Sequence, residues 1–152
     1  MATVITSQRL QAFLADCGLN LANAILRTPD SRYALVDKDW LARQGAVAIR
    51  AACAERVGLA EDDAADCDDF ARCAAEEIRR IHRKTKGRPR GCGVAFGVWD
   101  YITRCGTGHW LNAVVSSPDA GESLQLSFFE PQRCRFVNLI PTEIQSCVNP
   151  EF

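Results

Sequence analysis

Residues 93–129, GVAFGVWDYITRCGTGHWLNAVVSSPDAGESLQLSFF, decide the fold. Three apolar, β-branched and aromatic runs, Val94 to Ile102, His109 to Ser117 and Leu124 to Phe129, read as strands. Between them stand Arg104-Cys105-Gly106-Thr107-Gly108 and Pro118-Asp119-Ala120-Gly121-Glu122, which hold the Gly, Asp and Pro that hairpin turns require. An antiparallel meander is expected, with a further strand at Phe136 to Ile140. Upstream the apolar period changes to three and four. Leu10, Phe13, Leu14, Cys17 and Leu21 form a helical stripe within Thr6 to Leu21, ending near Gly18. A second helix is expected from about Asp39, as N-cap, to Val57, with Gly58 as its stop and Gly45 weakening its middle. A third begins around Cys67 and carries Phe70, Ala71, Ala74, Ile78 and Ile81 on one face. The expected fold class is α+β, N-terminal helices packed on a small antiparallel sheet, with a helical part at about 1–85 and a strand part at about 93–140 of a single domain, 1–152.

Composition bounds the function. A chain of 152 residues buries about two-thirds of its unfolded surface without disulfide or metal staples. Hydrophobic residues at 47% and charged residues at 24% are average for globular proteins and exclude disorder and coiled coil. Eighteen Lys and Arg against nineteen Asp and Glu give a net charge of −1, which supplies no bulk field for a phosphate backbone, so nucleic acid is not favoured. No run reaches the roughly 18 apolar residues of a membrane span. MATVITSQRL lacks the basic start and apolar stretch of a signal peptide, so a cytoplasmic location is expected.

Cysteines stand at 17, 53, 67, 73, 92, 105, 134 and 147, with no CxxC and no repeated zinc-ligand spacing. Most read as small buried hydrophobes, as in Ala51-Ala52-Cys53-Ala54. The segment RRIHRKTKGRPR, 79–90, holds seven of the eighteen Lys and Arg side chains. It reads either as a patch for an anionic partner or as a helix C-terminus and solvated loop whose cations favour the dipole.

Chemistry concentrates around one cysteine. Asp66-Cys67-Asp68-Asp69-Phe70 sets Cys67 at the first turn of a helix, where unpaired N–H groups and the dipole favour a thiolate. Gly108-His109-Trp110-Leu111-Asn112 puts His109 at the opening of a strand, and Phe128-Phe129-Glu130-Pro131-Gln132 ends the next strand in a carboxylate. In the order nucleophile, base, orienting acid, the imidazole takes the thiol proton and the carboxylate fixes its tautomer. The alternative for Cys67 is simple burial. Trp99, Tyr101 and Trp110 line a cleft or fill the core, Trp110 having the better claim to the cleft; Asn112 holds a substrate amide or satisfies local backbone.

These segments resemble the papain-like and transglutaminase-like cysteine hydrolase superfamily. DCDDFA is similar to the DCEDYA-type motif of bacterial transglutaminase-like cysteine proteinases, and GHWLN with FFEPQ resembles the GHxxN and (D/E)PQ segments of papain-fold toxin and deamidase domains. The likeness covers roughly 60 to 135. It implies Cys67 as nucleophile, His109 as general base and Glu130, where the superfamily more often has Asp, as third member. It also implies an oxyanion hole including the Cys67 N–H, with Gln44 as the candidate to complete it. Trp110, Asn112 and Gln132 are the expected substrate-binding residues. The implied activity is peptidase, deamidase or acyl transfer on a peptide or protein substrate through a thioester, with no cofactor required.

Asp66, Asp68 and Asp69 crowd the sulfur with negative charge, which opposes a thiolate. Either they cap the helix in solvent or they hold a hard cation, and in the resemblance Asp66 and Asp68 match a Ca²⁺ site. The reading from a different class is a catalytically silent module that binds a glycan or protein through its aromatic strands, as an accessory protein of a phage or bacterium.

Overall fold

The computed structural model describes residues 3–58 and 66–152. Val4–Thr6 forms β1, and Thr6 Oγ1 then accepts from the Arg9 N–H at 3.1 Å to cap helix α1, Ser7–Asp16. Leu10 and Leu14, four apart, are its fully buried residues. The helix stops at Cys17 and Gly18, whose φ of 111° is left-handed. Arg32–Ala34 is β2. The second expected helix is interrupted: Asp37 caps a short α2, Lys38–Trp40, a π turn follows over Leu41–Gly45, and α3 runs Ala46–Arg56. Gly45 permits that turn, since a Cβ there would lie 2.9 Å from Leu41 Cδ1 and 3.0 Å from the Trp40 ring. Helix α4, Cys67–Lys84, buries Phe70, Ala71, Ala74, Ala75 and Ile78 on one side. Acidic Asp68 and Asp69 begin it and Arg83 and Lys84 end it, in the sense the dipole favours.

Cys92–Val94 is β3; the meander is β4 Phe96–Ile102, β5 Gly108–Ser116, β6 Gln125–Glu130 and β7 Arg135–Val137; α5 is Pro141–Gln145. The strands make two sheets. In the four-stranded sheet, β4-β5-β6-β7, every neighbour is antiparallel. In the three-stranded sheet β1 pairs with β2 antiparallel, and β2 pairs with β3 parallel. The arrangement is thus a mixed α and β one with two sheets and interspersed helices, and the expectation of N-terminal helices resting on one small antiparallel sheet is corrected. The region expected to be helical contributes β1 and β2, each of 3 residues, too short to show a period before a partner is known.

Strand alternation in β5 divides the core. Asn112 and Val114 turn towards α4 in one cluster with Phe70, Ile78, Phe96 and Phe129, and Trp110 packs against it. Leu111, Ala113 and Val115 turn to the other face, against Leu10, Leu14, Tyr33, Trp99 and Phe128. Each fully buried Leu or Phe contributes about 2 kcal/mol. Cys53, Cys73, Cys92 and Cys147 are buried, and burial pushes the Cys53 and Cys147 thiols well up. Among the described residues no helix is long and apolar enough to cross a membrane.

Candidate functional site

His109 and Glu130 meet at the open end of the four-stranded sheet. Asn112 lies opposite Phe129 in the register, so Leu111 stands across from Glu130 and His109 lies diagonal to it on the same face. His109 Nε2 is 2.6 Å from Glu130 Oε2, which makes this ring nitrogen the donor to the carboxylate. The other carboxylate oxygen accepts from the Gln132 N–H at 3.2 Å, and the Tyr101 ring packs edge-on to the imidazole at 5.7 Å. The imidazole is thus oriented on two sides while remaining partly open, with 24% of its side chain exposed.

Cys67 is the first residue of α4 and is half-buried. Burial first, then the charges of Glu143, Glu130 and Cys67, push the Tyr101 phenol up to about 12, so the thiol and the carboxylate bear on one tyrosine. Among the described residues, however, no hydrogen bond joins the Cys67 thiol to His109; the hydrogen-bonded unit is the pair His109 and Glu130. His109 and Trp110 take opposite faces of β5, and α4 packs on the face of Trp110. The expected Cys-His-Glu triad is not assembled as a hydrogen-bonded unit.

The other expected site residues separate. Asn112 is fully buried, its Nδ2 donating to Ala71 O at 2.9 Å and Gly97 O at 3.1 Å, so its amide is committed to the fold. Gln132 is half-buried and its N–H holds Glu130. Gln44 is exposed on the π turn. Trp99 is core. Trp110 does border a cleft, of about 470 Å³, together with Arg27, Arg72, Arg79, Asn149 and Glu151. The Arg72 guanidinium lies over its ring at 5.4 Å, and Arg79 pairs with Glu151 at 3.7 Å. These polar groups come from three distant segments, and of them only Arg79 fell in a stretch that the sequence singled out.

At the start of α4 one carboxylate oxygen from each of Asp66, Asp68 and Asp69 lies within 4.8 Å of the others. Asp68 also pairs with Arg72 at 3.7 Å, and Asp69 accepts from the Asp66 N–H at 3.4 Å. Such a cluster can coordinate a divalent cation.

Solved structures similar in fold include the following two. One is described as a PSL1a-E64 complex, with a TM-score of 0.71, 18% identity, and coverage of 99% of this chain and 51% of that one. The other is the Polyporus squamosus lectin bound to the human-type influenza-binding epitope Neu5Acα2-6Galβ1-4GlcNAc, with a TM-score of 0.70, 18% identity, and coverage of 99% and 50%. The chain therefore spans about half the length of each. No family model matches the sequence, and no curated protein matches it. The likeness in fold is to the lectin and to PSL1a. The expected superfamily, with its peptidase, deamidase or acyl-transfer activity and its peptide or protein substrate, is corrected accordingly. Among the described residues, the thiol that the activity required has no hydrogen bond to its base, which is bonded to Glu130 instead.

Proposed function

We propose that the chain is a binding module for a glycan, and that the ligand lies in the cleft bordered by Trp110. The observation that carries this reading is the composition of that cleft: one indole face with arginine and carboxylate groups around a space of about 470 Å³. A sugar ring presents an apolar C–H face for an aromatic ring and a rim of hydroxyls for charged and amide groups, which is this combination. Arg27, Arg72 and Arg79 further suit a sugar that bears a carboxylate. The lectin's own ligand is a sialylated glycan, which supports the class, although that protein is twice as long as the match.

Cys67 and the His109–Glu130 pair lie outside the lining of that cleft in this reading, and the Gln132 N–H holds Glu130. Asp66, Asp68 and Asp69 take a Ca²⁺ ion that stiffens the start of α4 beside the cleft.

Calorimetric titration of this chain with Neu5Acα2-6Galβ1-4GlcNAc and with Galβ1-4GlcNAc, each with and without Ca²⁺, tests the reading. Saturable binding is expected, weakened roughly tenfold or more by Trp110→Ala. Binding unaffected by Trp110→Ala places the ligand elsewhere and rejects the cleft. Absence of binding to both sugars, together with selective consumption of Cys67 by iodoacetamide or E64 while the other thiols are spared, overturns the silent module altogether. A Tm unchanged by Ca²⁺ removes the ion.

A further inference from the structure

Apart from Arg79, the basic segment that closes α4 stays outside the Trp110 cleft and is not used by the proposed function. Within it, Arg80 is committed to Glu77 and Arg79 to Glu151. Among the described residues Arg83, Lys84, Lys86, Arg88 and Arg90 have no carboxylate partner. The helix dipole accounts for Arg83 and Lys84, which stand in the last turn. It does not account for Lys86, Arg88 and Arg90, which lie past the helix end.

Tertiary structure concentrates and orders this charge. Arg88 Nε donates to Arg83 O at 3.1 Å, folding the loop back on the helix, and His82 Nε2 lies 3.0 Å from Cys92 O. Arg32, remote in sequence but opposite Cys92 in the parallel pair β2 and β3, donates to Arg90 O at 2.9 Å and brings another cation to the patch. Gly87 and Gly91, with φ of 79° and 62°, make the turns that this path needs. The cations therefore project from hydrogen-bonded backbone and lose less freedom on binding than those of a loose tail would.

Arg79, His82, Arg83 and Arg88 border a cleft of about 180 Å³ that Gly91, Cys92 and Gly93 also line. This is small for a ring system, given that such pockets run from about 300 Å³, and suits a single tetrahedral oxyanion. One carboxylate, Asp30, also borders it and opposes the three arginines.

We infer that this patch binds a sulfated polysaccharide, one sulfate ester seated in the small cleft and its neighbours along the chain meeting Lys84, Lys86, Arg90 and Arg32. The attraction is that of any polyanion releasing counterions to a cationic surface. A nucleic acid is the poorer fit. Single strands require aromatic platforms, and the aromatic residues nearest the patch, Tyr33 and Phe152, are 0% and 2% exposed. The inference does not rest on the Trp110 cleft, and its test avoids Arg79, which borders both clefts.

The experiment measures binding of the full chain to a heparin octasaccharide, to the same octasaccharide after desulfation, to sodium sulfate alone and to a DNA duplex. Retention at physiological salt is expected for the sulfated octasaccharide, with log K falling against log salt at a slope of about −3, as for roughly four contacts. Lys84→Glu/Lys86→Glu, at exposed side chains, is expected to weaken it roughly tenfold and Arg83→Ala/Arg88→Ala by a similar factor, while Arg43→Glu, exposed on the π turn, changes nothing. Because Arg88 also orders the loop, the lysine variant decides if the arginine variant unfolds. Equal binding of desulfated octasaccharide or of DNA, equal loss in Arg43→Glu, or no retention at physiological salt overturns the inference. Binding of sulfate alone, displaced by the octasaccharide and lost in the arginine variant, supports the seat in the cleft.

Discussion

Asn112 is a side chain whose environment overrules its polarity. It is fully buried beneath α4 with two backbone carbonyls as acceptors, while its own Oδ1 has no partner among the described residues. Removing the side chain loses both of these hydrogen bonds and leaves a void beneath α4, at about 2 kcal/mol. Asn112→Ala is expected to lower the urea midpoint by that amount at unchanged m-value, and Asn112→Asp, which aims a carboxylate at two carbonyls, to lower it further. A ligand-contacting Asn would show neither loss. His109 and Glu130 are the contrasting case, since a period of two and a register set by one hairpin are enough to bring strand residues of neighbouring strands together. Cys67 could be placed on the first turn of a helix from its sequence, but the direction of its thiol relative to the imidazole depends on how that helix lies across the sheet.

At the scale of elements, α3 and α4 are joined by Glu77, which is 4% exposed. Its carboxylate accepts from Arg80 at 2.5 and 2.9 Å and from Arg56 at 3.2 Å. The hydrogen bonds from Arg80, followed by the charges of Arg80 and Arg56, hold its carboxyl below the ordinary value of 4.5. A depressed carboxyl adds stability that is complete above the ordinary value and is lost as pH falls through the folded one. Glu77→Gln is therefore expected to cost about 2 kcal/mol at pH 7, discounted for the partly exposed arginines. The gap to the unmutated protein should close as denaturation is repeated at falling acid pH; a constant gap would mean that the charge is irrelevant. The long periodic elements were legible: α4, with its apolar stripe and its acidic start and basic end, and the meander, with Gly and Asp at its turns. The short ones were not. β1, β2 and β3 have 3 residues each and exist because they find one another. The break in the second helix follows from a π turn that packs Trp40 and Leu41 over Gly45, which a stripe alone cannot show.

For the whole molecule, the last residues act as a clasp. Glu151 bridges to Arg27 on one side and to Val98 of β4 on the other, Ile25 N–H donates to Val148 O, and the Phe152 ring is buried. Gly97 makes room for this segment, because a Cβ there would collide with the Glu151 carbonyl and lie 2.9 Å from the Phe152 ring. Gly97→Ala is expected to cost about 3 kcal/mol and to open the C-terminal residues to carboxypeptidase; resistance equal to that of the unmutated chain would disprove the clasp. The same closure brings Asn149 and Glu151 to Arg27, Arg79 and Trp110 and so makes the proposed glycan cleft. The sequence by itself determined the elements whose signal is local and repeated: a long amphipathic helix with a cysteine in its first turn, and a four-strand meander carrying His109 and Glu130 near one end. Only the tertiary structure decided that the strands divide into two sheets, that Asn112 is core and that Trp110 borders a cleft. Those outcomes depend on contacts between residues far apart in the chain, whose energies appear only once backbone hydrogen bonds and packing have closed the loops between them.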